Sequence, residues 1–391
     1  MPAAIKAYRE GRHAEVQNLC RQILKDLPNH VEASHLLGVS EIDCSRYDDA
    51  AAVLARVVGL EPRNPEAHSN YGRSLFHLGR YEEARASYER AIALRPNFPT
   101  ALTNFGNALM HLRRFDESIA AHDRAIALKP DYGDAFCNRG MTQLLVDRNE
   151  EADQSFDRAL SLQPRLVPAL HGKALVSMNL RKFDVARAAL DTALAINPRM
   201  AAVIAQRGRL FQHLGQFDKA EAEFDAALAI DPLQEPALCG KAALTVLRGE
   251  TAVAMAACNK VLEQNPNSEI AWSLLGACHT MQGDVLTGLD HFDRALAIKP
   301  DFEDAITKKL FALDYLPDCD FVQHQAARKY WWDAVGSHLP RHAMGERVLD
   351  PERRLVVGYV SSDFRNHSAA LGFMPIMRNH DHEKFEIIAY S

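Results

Sequence analysis

Residues 65–98 read PEAHSNYGRSLFHLGRYEEARASYERAIALRPNF, and this stretch decides the fold. Ala67, Tyr71, Gly72, Leu75 and Phe76 make one apolar stripe at i, i+4 spacing, the mark of an amphipathic helix. Gly79-Arg80 is expected to turn the chain. Ala84, Tyr88, Ala91 and Leu94 make a second stripe, closed by Pro96, which has no N–H to donate to a further helical turn. The unit is a helical hairpin, and its small Gly and Ala positions let the two helices cross closely.

The hairpin recurs along the chain. Prolines stand at 28, 62, 96, 130, 164, 198, 232, 266 and 300, always 34 residues apart. With proline at about 5% of positions, eight further hits on one phase have a chance probability on the order of 10⁻¹⁰. Ala33, Ala67, Ala101, Ala135, Ala169, Ala237, Ala271 and Ala305 keep the same beat, with Val203 the exception. So do Gly38, Gly72, Gly106, Gly140, Gly208 and Gly276, and so do Tyr47, Tyr81, Phe115, Phe183 and Phe217. A stack of this kind buries each stripe only against its neighbours.

The rest of the composition excludes alternatives. The 391 residues are 47% hydrophobic and 25% charged with a net charge of −6, so neither a disordered chain nor a strongly basic nucleic-acid binder is expected. No apolar stretch approaches the ~20 residues of a membrane span, and the N-terminus lacks the layout of a signal peptide. The cysteines at 20, 44, 137, 239, 258, 278 and 319 are odd in number, without CxxC, which favours packed thiols in a reducing cytoplasm over disulfides or zinc. Cys20 and Cys258 share one repeat phase. The 17 histidines form no HExxH, and His380-Asp381-His382 is expected in a loop, so no metal site is expected. Basic and acidic residues alternate at the spacing of i, i+4 pairs, with no basic stripe for nucleic acid.

The 34-residue period with small, large and proline positions resembles the tetratricopeptide repeat. The resemblance covers nine repeats to about residue 302 and one more helix over 303–316. It implies an all-α, right-handed superhelical solenoid over residues 1–316, with protein or peptide partners in a concave groove lined by the first helices. On those helices stand Asn70, Asn104 and Asn138, at the sixth position of successive repeats, followed by Gly172, Gln206, Gly240 and Leu274. A carboxamide both donates and accepts, so such a column can grip a peptide main chain without reading side chains. The column is similar to the asparagine ladder of protein O-linked N-acetylglucosamine transferases; asparagine placed there for structural reasons is the alternative. His68, His77 and His111 also lie on first helices and are candidates for the groove or for ordinary surface.

Beyond residue 316 the beat stops. Residues 317–353 read as a linker containing a helix over 321–335, whose Trp331-Trp332 pair suggests a buried junction. From residue 354, Leu355–Val360 and Phe385–Tyr390 read as buried parallel strands and 368–378 as a helix between them. GYVSSDF, Asn366-His367 and FEIIAYS resemble the start of the catalytic region of the O-linked N-acetylglucosamine transferase and SPINDLY family, with Arg365 and Ser368 replacing the Gly and Pro of animal members. The resemblance implies that 354–391 is the incomplete βαβ start of a GT-B lobe. It further implies transfer from a nucleotide sugar, UDP-N-acetylglucosamine or a fucose donor, to Ser or Thr of recruited proteins, with no cofactor in this chain. His367 is then the catalytic candidate. Before a helix N-terminus it is held neutral and can orient or deprotonate the acceptor hydroxyl; a packed capping histidine is the alternative. With most of the catalytic region absent, these 391 residues are expected to lack transferase activity alone. A non-catalytic scaffold is the second reading.

Overall fold

Among the described residues nine antiparallel hairpins follow one another along the chain. They are α1 (Pro2–Arg9) with α2 (His13–Asp26), α3 (Val31–Asp43) with α4 (Tyr47–Leu60), and α5 (Pro65–His77) with α6 (Tyr81–Leu94). Next come α7 (Pro99–His111) with α8 (Phe115–Leu128), α9 (Gly133–Leu145) with α10 (Asn149–Leu162), and α11 (Val167–Asn179) with α12 (Phe183–Ile196). The last three are α13 (Ala201–His213) with α14 (Phe217–Ile230), α15 (Glu235–Leu247) with α16 (Thr251–Gln264), and α17 (Glu269–Met281) with α18 (Val285–Ile298). Two further helices follow, α19 (Glu303–Leu313) and α20 (Phe321–Ala334). This computed structural model describes residues 1–316, 319–338, 355–360, 378, 379, 381 and 384–390.

Local chemistry sets the helix ends. Pro65 and Pro99 open α5 and α7, where a missing N–H costs nothing. Asn64 caps α5 by accepting the Ala67 N–H at 3.0 Å. Every turn within a hairpin passes through one left-handed residue. Five are glycines, Gly79 among them at φ 73°, and four are Ser45, Arg113, Asp147 and Arg181 at φ 56–59°.

Packing between the two helices of a repeat centres on one side chain of the second helix: Leu54, Tyr88, His122, Phe156, Leu190, Phe224, Cys258 and Phe292, each at most 1% exposed. Opposite them lie the phased glycines. A Cβ on Gly72 would meet the Tyr88 ring at 2.8 Å, so the close crossing requires glycine. Each buried ring contributes roughly 2–3 kcal/mol. Cys20 and Cys258, which share a phase, are both fully buried.

First helices of adjacent repeats also touch one another, whereas second helices make no comparable contact among themselves. The first helices therefore form the inner wall and the second helices the outer layer.

Cα packing divides the chain into two units, Met1–Ala334 and Val335–Ser391. The first unit is an all-helical solenoid. Its α19 stops at Leu313 rather than at 316, because the N–H groups of Asp314, Tyr315 and Leu316 turn to carbonyls three residues back. Helix α20 is held by Tyr330 Oη donating to the Pro300 carbonyl at 2.6 Å. It buries no residue. Trp332 is 46% exposed and Trp331 half-buried within this unit.

In the second unit β1 (Leu355–Val360) and β2 (Phe385–Tyr390) pair in parallel, from Leu355 opposite Phe385 to Val360 opposite Tyr390. Parallel neighbours require a crossover connection. The helix expected between them falls, but for Arg378, outside the described residues, and so does His367.

Candidate functional site: the inner wall of the repeats

The register of the wall follows from the hairpin geometry. With the core ring of each second helix packed on the eighth position of its own first helix, the sixth position turns toward the wall. Asn70, Asn104 and Asn138 occupy it on α5, α7 and α9, which touch in succession, and all three are half-buried. Asn70 Nδ2 lies 2.9 Å from His35 Nε2. Burial lowers the pKa of His35, so its ring stays neutral and accepts from the amide. The amides of Asn104 and Asn138 have no hydrogen-bond partner among the described residues, and their donors and acceptors remain available for a main chain laid along the wall. Nearby, Asn107 Oδ1 is buried without a partner among the described residues.

The histidines of these helices serve the scaffold. His68 is buried, with Nε2 3.0 Å from the Pro62 carbonyl; Trp272 makes the same bond to Pro266 at 2.9 Å. His77 stacks on Tyr47 at 4.3 Å and His111 on Tyr81 at 4.4 Å. Burial lowers the pKa of both imidazoles, which keeps the stacks uncharged at neutral pH.

Further along the wall, α13, α15, α17 and α19 enclose a cavity of about 510 Å³. Gly240, Leu274 and Lys308, the continuation of the asparagine phase, line it, together with Arg209, His213 and Cys239. Sequence reading singled out none of these as a site. The signal was available: the positions are the same wall phases, carrying an arginine and a lysine. Among the described residues no group of His, Cys, Asp and Glu is placed to hold a metal ion. None of the described helices is long and apolar enough to cross a membrane.

The expected i, i+4 ion pairs are joined by a set that sequence reading missed. Asp123–Arg139 at 2.7 Å, Asp157–Lys173 at 2.6 Å and Asp191–Arg207 at 3.2 Å each join a second helix to the next first helix. Asp225–Lys241 and Asp293–Lys309 repeat the pattern. Every pair spans 16 residues.

Tetratricopeptide-repeat profiles match residues 35–99, 75–136, 133–166 and 178–242. The chain is 30% identical over 95 residues to the probable UDP-N-acetylglucosamine–peptide N-acetylglucosaminyltransferase SPINDLY of Arabidopsis thaliana, which covers 24% of this chain and 10% of that protein. The namesake from Solanum lycopersicum is 28% identical over 96 residues, 25% of this chain and 10% of that protein. The chain thus spans about a tenth of the length of these relatives. Among solved structures, the APC/C hetero-tetramer Cut9–Hcn1 aligns with a TM-score of 0.56 at 15% identity, over 77% of this chain and 59% of that one. A tetratricopeptide repeat protein from Parabacteroides merdae aligns with a TM-score of 0.54 at 19% identity, over 63% of this chain and 98% of that one. At these identities the likeness concerns the fold alone. Period, hairpin geometry and profile matches agree, and the chain belongs to the tetratricopeptide-repeat family.

Proposed function

We propose that the inner wall binds extended segments of partner proteins by their main chain, and that in the native protein this delivers Ser or Thr to a sugar-transfer site. The observation that carries the reading is the amide column of Asn70, Asn104 and Asn138, three half-buried carboxamides on touching helices. Tetratricopeptide solenoids generally mediate protein–protein interaction, and the relatives named above are peptide N-acetylglucosaminyltransferases by name. In this reading the donor is a nucleotide sugar such as UDP-N-acetylglucosamine. The acceptor hydroxyl attacks the anomeric carbon, the bond to the diphosphate breaks, and the hydroxyl proton passes to a base, for which His367 is the candidate.

The test is acceptor capture. Replacing Asn70, Asn104 and Asn138 together by Ala should weaken an unstructured acceptor protein roughly tenfold or more, at about 0.5–1.5 kcal/mol for each hydrogen bond lost. Unchanged affinity with retained helicity overturns the ladder. A non-catalytic scaffold is the second reading, favoured because the similarity to these relatives lies in the repeat region. The native gene product decides between the two: radiolabel transferred from UDP-N-acetylglucosamine to a bound acceptor, and lost in His367→Ala, supports the enzyme.

A further inference from the structure

The cavity between α13 and α19 has an electrostatic imbalance. Four charged side chains line it: Arg209, Glu235, Asp304 and Lys308. Three are engaged. Asp304 Oδ2 accepts from Lys308 Nζ at 2.7 Å and from Ser273 Oγ at 2.6 Å. Glu235 Oε2 accepts from Asn265 Nδ2 at 3.0 Å. Arg209 makes one long contact, Nη1 to the neutral Gln206 Oε1 at 3.5 Å, and no carboxylate pairs with it among the described residues. His213 beside it adds no second positive charge, since burial and then Arg209 lower its pKa and leave the ring neutral. A guanidinium carries five donors in a planar fork suited to a carboxylate. One withdrawn from water without a counter-ion is costly, and an incoming anion relieves that cost. Around this cation the walls are apolar, from Pro236, Ala243, Ile270, Leu274 and Phe302.

We propose that this cavity is a side-chain pocket for a single Asp or Glu of an extended peptide segment, the carboxylate meeting Arg209 and the neighbouring apolar residues packing on Ile270 and Leu274. The proposal rests on the reading of the inner wall as a peptide-binding surface and adds selectivity to it: the amide column holds the main chain, and the pocket selects one side chain. It admits one carboxylate only, because Lys308 is already committed to Asp304 and a second acid would find no unpaired cation among the described residues that line it.

The experiment is a positional-scanning library of acetylated, C-terminally amidated peptides passed over the immobilised 391-residue chain, with bound peptides read by mass spectrometry. At one position Asp and Glu should be enriched roughly tenfold over Asn and Gln, the factor carried by one charge-assisted hydrogen bond. That enrichment should vanish in Arg209→Gln. Arg209→Lys, which keeps the charge and loses the fork, should retain part of it, and it serves as the readable variant if Arg209→Gln misfolds. Selected peptides without acidic preference, or a preference unchanged in both variants, overturn the pocket while leaving the peptide-binding wall in place. In a matched library with free C-termini, acidic preference that appears there and is absent from the amidated set overturns it in favour of a chain-end reader. No selection from the library overturns both.

Discussion

His122→Phe should stabilise the solenoid and make it less sensitive to acid. His122 is fully buried at the register that holds Tyr88, Phe156, Phe224 and Phe292 in other repeats, and neither ring nitrogen has a hydrogen-bond partner among the described residues. Burial, with the charge of Arg139 added, lowers its pKa from 6.5 to about 3. The unfolded chain therefore takes up a proton on this ring below pH 6.5, while the folded chain stays unprotonated until about pH 3. The stability this group contributes is present above 6.5 and drains away as the pH falls toward the folded value. At 1.36 kcal/mol per pH unit, moving from pH 7.5 to pH 5 removes about 2 kcal/mol. Phenylalanine removes that proton uptake and also two unsatisfied buried nitrogens, each of which costs about 1–3 kcal/mol. It fits, since Tyr88 faces Gly72 and precedes Asn104 much as His122 faces Gly106 and precedes Asn138, with an added Cβ meeting the ring at 2.8 Å in one and 2.7 Å in the other. The assay is urea unfolding at pH 7.5 and 5.0 for both proteins, which cancels the acid response of every other group. Repeat arrays unfold with imperfect cooperativity, so an NMR titration of the His122 ring in the folded protein reads the same quantity locally. Equal loss of stability in both proteins, or a ring that titrates above pH 5, refutes the reasoning.

Four further substitutions probe the scaffold. Gly72→Ala puts a Cβ 2.8 Å from the Tyr88 ring and should cost about 1–3 kcal/mol by overpacking, read as a lower thermal midpoint. Arg113→Gly relieves a left-handed arginine at φ 59° and should gain about 1 kcal/mol, whereas Gly79→Arg should lose a similar amount. Lys173→Met removes the ammonium that meets Asp153 at 2.6 Å in a pair about one-tenth exposed. It leaves Asp153 with Lys182 alone and should cost about 3 kcal/mol in chemical denaturation; a neutral outcome would show that Lys182 suffices.

The fold was legible because a hairpin stack writes its geometry as a period. Pro62, Gly72, Gly79 and Tyr88 each answer to one local constraint: a missing donor, a close crossing, a left-handed turn and a core ring. Each constraint returns every 34 residues. The parallel strands were legible from their continuous apolar runs. The ion pairs between repeats were not, although Asp123, Asp157, Asp191, Asp225 and Asp293 keep one beat and their basic partners another. Charge was compared at the spacing of one helix, and these pairs bridge two. Histidine roles were open for a related reason. His77 and His111 look like groove residues on a helical wheel, but the preceding repeat supplies a tyrosine to stack on, which only three-dimensional placement reveals. The end of α19 was set by turn hydrogen bonding that leaves no compositional mark.

The break in the asparagine column and the cavity have one cause. Phe156 and Phe224 reach past their own repeats, so that a Cβ on Gly172 or Gly240 would lie 2.3 Å from their rings. Leu54, Tyr88 and His122 occupy the same register before Asn70, Asn104 and Asn138 and leave room for an amide. Phe292 precedes Lys308, so a phenyl ring does not by itself demand glycine; at 172 and 240 the glycine admits a ring that has moved outward. At 240 the missing side chain, with small Cys239 and Ala243 beside it, opens the wall into the cavity. An amide placed at 240 would have to displace Phe224, which is fully buried. The ladder therefore cannot be extended through that repeat without shrinking the core ring, and the space where it fails is the space that Arg209 faces. Main-chain grip and side-chain selection divide the wall because one buried ring position is filled differently along it.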